Sequence, residues 1–342
     1  MRCYFGYIDV CDCETSQRLI FMSAMKYGWQ RLNPVVELAQ QQVTDILRPF
    51  FPGQKVRDIQ LLSGGLANTS YCCIFHNDRK VLLRVYTRDA NSCLLEKTIH
   101  DLLQHGIPIA EILHMDTSKN IIPYSFAVMQ WIDGISLREA IIREPQRLAQ
   151  TFFQLGFPLY YLQKYRFEEV GMLDENLNVT PFIMEERNPF FRYVKECLQS
   201  TTTQKNIGES LCEKIDSYID VRRGLYREIF HHPHLTHGDY NPANVLVCPR
   251  TFRVVAILDW EFAFSGSFYC DIGNMLRDEE VYVENCVAQF ICGLQEAGIK
   301  LHDNWREMCK LVDLTSLVGF AHTSNCEKVI EDVVHLIKRT VL

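Results

Sequence analysis

The stretch Leu235-Thr-His-Gly-Asp-Tyr-Asn-Pro-Ala-Asn-Val-Leu-Val247, followed by Val254-Val-Ala-Ile-Leu-Asp-Trp-Glu261, constrains this chain more than any other. It reads as a tight loop, a short apolar strand, a turn and a second apolar strand, a hairpin that carries polar side chains to one cleft. Asp239 precedes Asn244 by five residues, and Asp259 closes the second apolar run. A lone Asp or Asn in a loop is ordinary turn chemistry. Two carboxylates and a carboxamide on one hairpin are what phosphoryl transfer needs. One Asp accepts the proton of an attacking hydroxyl, and an Asn and a second Asp hold the Mg²⁺ ions that neutralise a triphosphate.

The rest of the chain divides around this hairpin. Residues 1–30 carry three cysteines and little periodicity, and are expected to be a disordered or misassigned leader. Asn33-Pro34 reads as the cap and first residue of a helix ending near Pro49. Strand signals then run over Val56–Leu62, Thr69–Phe75, Val81–Tyr86 and Phe126–Trp131, with a helix from Ser92 to His105 between the last two. From Leu137 the pattern is mainly helical, with long candidates over Arg147–Tyr165 and Glu209–Phe230, and a loop expected over Glu168–Asn188. Strands first and helices after predict an α+β protein of two lobes, 31–132 and 133–342, packed on a cleft.

The loop Leu61-Leu-Ser-Gly-Gly-Leu-Ala-Asn-Thr-Ser70 joins the first two strands. Gly64 and Gly65 let backbone approach a phosphate closely, and Ser63 adds a hydroxyl donor. A plain tight hairpin would use the same glycines. In the third strand, Lys80, Leu82 and Arg84 share one face by period two.

His237-Gly-Asp-Tyr-Asn-Pro-Ala-Asn244 resembles the catalytic loop of the aminoglycoside phosphotransferase and choline kinase superfamily. Ile257-Leu-Asp-Trp-Glu261 resembles its metal-binding strand end, and Asp271-Ile-Gly-Asn274 the helix start that follows. The resemblance implies a protein-kinase-like fold that binds ATP and Mg²⁺ between a sheet lobe and a helical lobe. It implies Asp239 as base or orienter of the acceptor hydroxyl, Asn244 and Asp259 as metal ligands, and Ser63, Gly64 and Gly65 as phosphate cover. Arg84 stands where aminoglycoside kinases often carry a phosphate-binding lysine, and its planar guanidinium changes the geometry but keeps the charge. Glu96 would pair with Arg84, and backbone around Gln130 to Ile132 would meet the adenine edge. His237 would brace the loop, and Asp271 would cap its helix and support the loop.

Size and charge set the remaining bounds. At 342 residues the chain exceeds one ordinary core. A net charge of −7 argues against nucleic acid as the main partner, and no apolar run is long enough to span a membrane. The 14 cysteines show no zinc spacing, which predicts reduced thiols in a cytoplasmic protein. The expected partner is a small molecule with an acceptor hydroxyl. Tyr240, Trp260, Phe262, Phe264, Phe268 and Tyr269, with Asp278-Glu-Glu280 and Glu284, suggest a cationic amine, although the same residues would serve as core aromatics and a solvated helix face. A catalytically silent nucleotide-binding module of the same fold is the competing reading.

Overall fold

The computed structural model describes Trp29 and residues 33–62, 68–87, 90–182 and 190–342. The leader expected over 1–30, Trp29 apart, and the loop residues Ser63, Gly64 and Gly65 lie outside the described residues.

A five-stranded antiparallel sheet forms the first lobe. Its strands are β1 (Val56–Leu61), β2 (Thr69–Phe75), β3 (Lys80–Tyr86), β4 (Ile112–Asp116) and β5 (Ser125–Gln130), in the order β1-β2-β3-β5-β4. Alternation along β3 sorts the two faces. Val81, Leu83 and Val85 point to a core shared with Val43, Ile46 and Leu47 of helix α1 (Gln40–Leu47). Leu82, Arg84 and Tyr86 point the other way, toward Cys93 and Ala110 and, for Arg84, toward the cleft.

Helix α1 starts at Gln40, six residues later than the Asn33-Pro34 signal predicts. The intervening chain is extended because the sheet satisfies its backbone. The Val36 N–H donates to Thr69 Oγ1 at 3.1 Å and the Leu38 N–H to the Tyr71 hydroxyl at 3.2 Å. The Asn33 amide donates to Thr87 Oγ1 at 2.9 Å, so it tethers the segment and does not cap a helix.

Helix α2 (Ala90–Leu103) joins the lobes. Its Leu95, Ile99 and Leu103 enter the large core of the second lobe, while Cys93 packs under the sheet. Fully burying each such side chain stabilises by about 1.5–3 kcal/mol, which fixes α2 against the cleft.

The second lobe contains β6 (Ile135–Ser136), α3 (Leu137–Arg143), α4 (Ala149–Gln154), α5 (Gly156–Leu162), β7 (Gly171–Leu173), β8 (Val179–Pro181), α6 (Phe191–Gln199), α7 (Thr201–Ile207), α8 (Glu209–Arg222) and α9 (Leu225–Ile229). It continues with β9 (His234–Thr236), β10 (Val245–Val247), β11 (Val254–Ile257), β12 (Phe264–Gly266), α10 (Phe268–Leu276), α11 (Glu284–Ala297), α12 (Trp305–Thr323) and α13 (Glu327–Val341). Strands β11-β10-β6 form one small sheet and β8-β7-β12-β9 another. Both predicted long helices are broken. The Arg147–Tyr165 stretch divides into α4 and α5, and a Cβ on Gly156 would lie 2.3 Å from the Leu294 nitrogen of α11. The break lets backbone meet backbone there. Glu209–Phe230 divides at Arg223-Gly224 into α8 and α9, where glycine weakens the helix. No described helix is long and apolar enough to cross a membrane.

Candidate active site

The loop after β9 is built around one glycine and one buried carboxylate. Gly238 has φ +81°, and a Cβ there would sit 2.4 Å from the Phe262 carbonyl oxygen, so only glycine fits. The Asp271 carboxylate accepts from the backbone N–H of His237 and of Gly238, both at 2.9 Å. Burial is the main cause that pushes the Asp271 carboxyl up to about 7; the two N–H donors oppose the rise and Asp239 adds to it. Asp271 therefore supports the loop as expected, but it does not cap the helix. It lies inside α10, and Ser267 is the cap, accepting from the Tyr269 N–H.

His237 is neutral by geometry. Its Nδ1 accepts from the Asp239 N–H at 3.2 Å, so its Nε2 carries the proton and donates to the Leu258 carbonyl at 2.9 Å. Burial lowers its pKa in the same direction. The ring thus ties the loop to the end of β11, as a brace.

Two carboxamides orient the Asp239 side chain. Asn241 Nδ2 donates to Oδ1 at 2.8 Å and Asn244 Nδ2 to Oδ2 at 2.8 Å. Because the Asn244 nitrogen must face the carboxylate, its Oδ1 is turned away from Asp239. The Leu258 N–H donates to the Asn244 carbonyl at 2.8 Å, which places Asp259 beside Asn244 across the hairpin. Asp259 itself is left-handed, φ 61° and ψ 63°. A non-glycine residue in this region costs about 1–3 kcal/mol and recurs where geometry serves function. The strain turns the carboxylate out of the β11 line and into the cleft, where its side chain is 34% exposed.

Opposite Asp259 lies Arg84. Its Nη1 contacts Asp259 Oδ1 directly, and stands 3.5 Å from Glu96 Oε1; its Nη2 is 3.6 Å from Glu261 Oε1. Glu96 is fully buried and accepts from the Tyr86 hydroxyl at 2.7 Å. Burial alone would raise Glu96, but Arg84 foremost, then His100 and Tyr86, bring it down to about 2. Burial holds Glu261 above its usual range, with Arg84 pulling it down and Glu96 and Asp259 adding to the rise. Asn68, the first described residue after the glycine loop, donates to Glu261 Oε2 at 2.9 Å and accepts from the Thr87 N–H at 3.2 Å. It was not among the candidates from sequence, although its position after Gly64-Gly65 was a usable signal.

The donor set suits Mg²⁺. Asn244 Oδ1 and the Asp259 carboxylate are hard oxygen ligands, and three carboxyl groups around one guanidinium leave the cleft in need of positive charge. Among the described residues no cluster of three His, Cys, Asp or Glu could cage a metal. A two-ligand set fits an ion that keeps phosphate oxygens and water in its shell.

The other candidates are placed less simply. The Gln130 N–H donates to the Glu111 carbonyl at 2.8 Å, so it is committed to the sheet and cannot donate to an adenine edge; Ile132 lies past the strand end. Several residues of the suggested amine-binding face are spent on structure. Tyr240 and Trp260 are core residues, with the Tyr240 hydroxyl donating to the Leu155 carbonyl at 2.9 Å. Asp278 is buried, Glu279 pairs with Arg306 at 2.8 Å, and Glu280 pairs with Arg339.

Comparison with known proteins agrees with this frame. The model of the phosphotransferase enzyme family matches residues 58–310. No curated protein sequence matches. Among solved structures, a thermostable mutant of aminoglycoside phosphotransferase APH(4)-Ia, in ternary complex with AMP-PNP and hygromycin B, is 16% identical over 87% of this chain and 96% of that one, with a TM-score of 0.63. The GDP and kanamycin complex of APH(2")-IIIa is 15% identical over 87% and 97%, with a TM-score of 0.60. The macrolide 2'-phosphotransferase MphH from Brachybacterium faecium is 15% identical over 82% and 90%, with a TM-score of 0.57. At these identities the likeness is one of fold: α+β, two-lobed and protein-kinase-like.

Proposed function

We propose that this chain, which belongs to the phosphotransferase enzyme family, moves the γ-phosphoryl group of ATP to a hydroxyl of a small molecule. The observation that carries the reading is the Asp239 carboxylate, held on both oxygens by Asn241 and Asn244 and joined through Leu258 to Asp259 and Arg84. The solved nucleotide complexes with this fold support a nucleotide in the cleft.

Asp239 takes the proton of the acceptor hydroxyl, and its two amide partners fix the direction of that transfer. Asn244 Oδ1 and Asp259 would hold Mg²⁺, which when bound neutralises phosphate charge. Arg84 adds a guanidinium on the phosphate side, steered by Glu96. Ser63, Gly64 and Gly65 would cover the phosphates, and Ile132 would lie at the adenine edge. Loose phosphoryl transfer asks for positioning and charge neutralisation more than covalent chemistry, and these residues supply both.

The test is ADP release with MgATP across a panel of sugars, amino-alcohols and aminoglycosides, with Asp239→Ala and Asp259→Asn in parallel. Acceptor-dependent release lost in both variants is the expected result. ATP binding without turnover for any acceptor would favour the silent binding module.

A further inference from the structure

A cavity of about 170 Å³ opens beside the catalytic loop, bordered by Gly238, Asn274, Asp313 and Thr315. Met172, Phe182, Phe190 and Phe264 form one wall. Phe182 stacks at a tilt on both other rings, with centroids 5.6 Å from Phe190 and 6.4 Å from Phe264. The opposite wall is α12 and α10.

The polar groups of that wall are mostly committed. Arg277 Nε lies 3.1 and 3.0 Å from the two Asp313 oxygens, and its Nη2 2.5 Å from Oδ1, so the carboxylate is neutralised by a bidentate partner. The Asn274 oxygen accepts from Arg277 at 2.8 Å, and its nitrogen faces the carbonyls of Cys270 and Gly238. Thr315 differs. It is 8% exposed, and its buried Oγ1 has no hydrogen-bond partner among the described residues. A helical threonine ordinarily returns its hydroxyl to the carbonyl four residues back. A buried hydroxyl left unmatched costs about 1–3 kcal/mol, a penalty that a ligand hydroxyl would relieve once rotation about χ1 turns the shielded Oγ1 toward the cavity.

We infer that this cavity is the acceptor subsite and that it takes an uncharged, hydroxylated ring compound with one apolar face. The apolar face lies on the Phe182, Phe190 and Phe264 wall, one hydroxyl bonds Thr315, and another reaches Asp239 next to Gly238. A polycation finds no unpaired carboxylate among the described lining residues and meets the Arg277 guanidinium behind Asp313. The inference rests on the phosphotransferase reading for the role of Asp239, but its binding test does not.

The probe is phenyl β-D-glucopyranoside, titrated calorimetrically into the full chain beside kanamycin and choline. The glucoside binds, while the two cations bind at least tenfold more weakly. Thr315→Val weakens glucoside binding about five- to tenfold, the loss of one hydrogen bond, and Thr315→Ser restores it. MgATP titration of each variant reports that the fold is intact. Tighter binding of kanamycin or choline than of the glucoside would overturn the inference, as would equal glucoside affinity in the Val variant. Phosphorylation of a cation that depends on Asp239 would keep the kinase reading and sink this one. Thr315-dependent glucoside binding without transfer would do the reverse.

Discussion

Replacing Glu96 with Gln isolates the charge that steers Arg84. The Glu96 side chain is fully buried, 3.5 Å from the guanidinium, and the Tyr86 hydroxyl donates to its far oxygen at 2.7 Å. Gln keeps the shape and one acceptor for Tyr86, but removes the charge. The carboxyl is held at about 2 against an ordinary 4.5. At 1.36 kcal/mol per unit, that gap corresponds to about 3 kcal/mol of stability from the ionised form. The folded pKa is depressed, so the contribution is fully present above pH 4.5 and is lost as pH falls toward 2. Urea unfolding of wild type and Glu96→Gln at pH 7 should therefore differ by about 2–3 kcal/mol, with the remaining Tyr86 bond accounting for the lower end. The difference should be roughly halved by pH 3. In the ADP-release assay the variant should show a raised KM for ATP, because among the described residues Arg84 then keeps only Asp259 and Glu261 as ion partners. A difference under about 0.5 kcal/mol at pH 7, or one that does not shrink on acidification, would refute the coupling of Glu96 to Arg84.

Gly238→Ala must fit a Cβ 2.4 Å from the Phe262 oxygen at φ +81°, and the resulting shift of Asp239 should lower kcat by about 100-fold. Circular dichroism should still report a folded protein. His234 accepts from the Phe268 N–H at 2.9 Å and donates Nδ1–H to the His232 carbonyl at 2.9 Å, so it is neutral in the fold. Burial brings it down to about 4, and the stability it contributes above pH 6.5 should fall by up to about 3 kcal/mol as pH drops toward 4. His234→Gln should flatten that part of the urea midpoint profile. Asp313→Ala leaves the buried Arg277 without its carboxylate and should destabilise by about 3–5 kcal/mol in the same unfolding assay.

What could be read from the chain and what could not separate along one physical line. β2 is found where its apolar run predicts it, and β3 within one residue, because β-branched and aromatic residues bounded by turns carry a strong local signal. The hairpin β10–β11 is equally local, and its spacing alone puts Asp239, Asn244 and Asp259 on one rim. The failures are tertiary. Helix α7, Thr-Thr-Thr-Gln-Lys-Asn-Ile, has poor intrinsic propensity; it is held by the Ser200 cap and by Asn206, which donates to the Ala321 carbonyl at 2.8 Å from a distant helix. Strands β7 and β8 are three residues each and lie in a stretch read as loop, since a run that short has no period to detect. The break between α4 and α5 is different: Pro158 has no N–H to offer the Gln154 carbonyl and so interrupts the helix locally, a signal within the sequence, while Gly156 lets the backbone there approach Leu294 of α11, 138 residues further along. The same division holds in the cleft. Residues that act through spacing along one hairpin are visible in sequence. Thr315 is not, because its part depends on a buried hydroxyl left without a partner among the described residues once the helices have packed; Asn68 and Glu261 stand in readable motifs, but their pairing with each other forms only when the lobes meet.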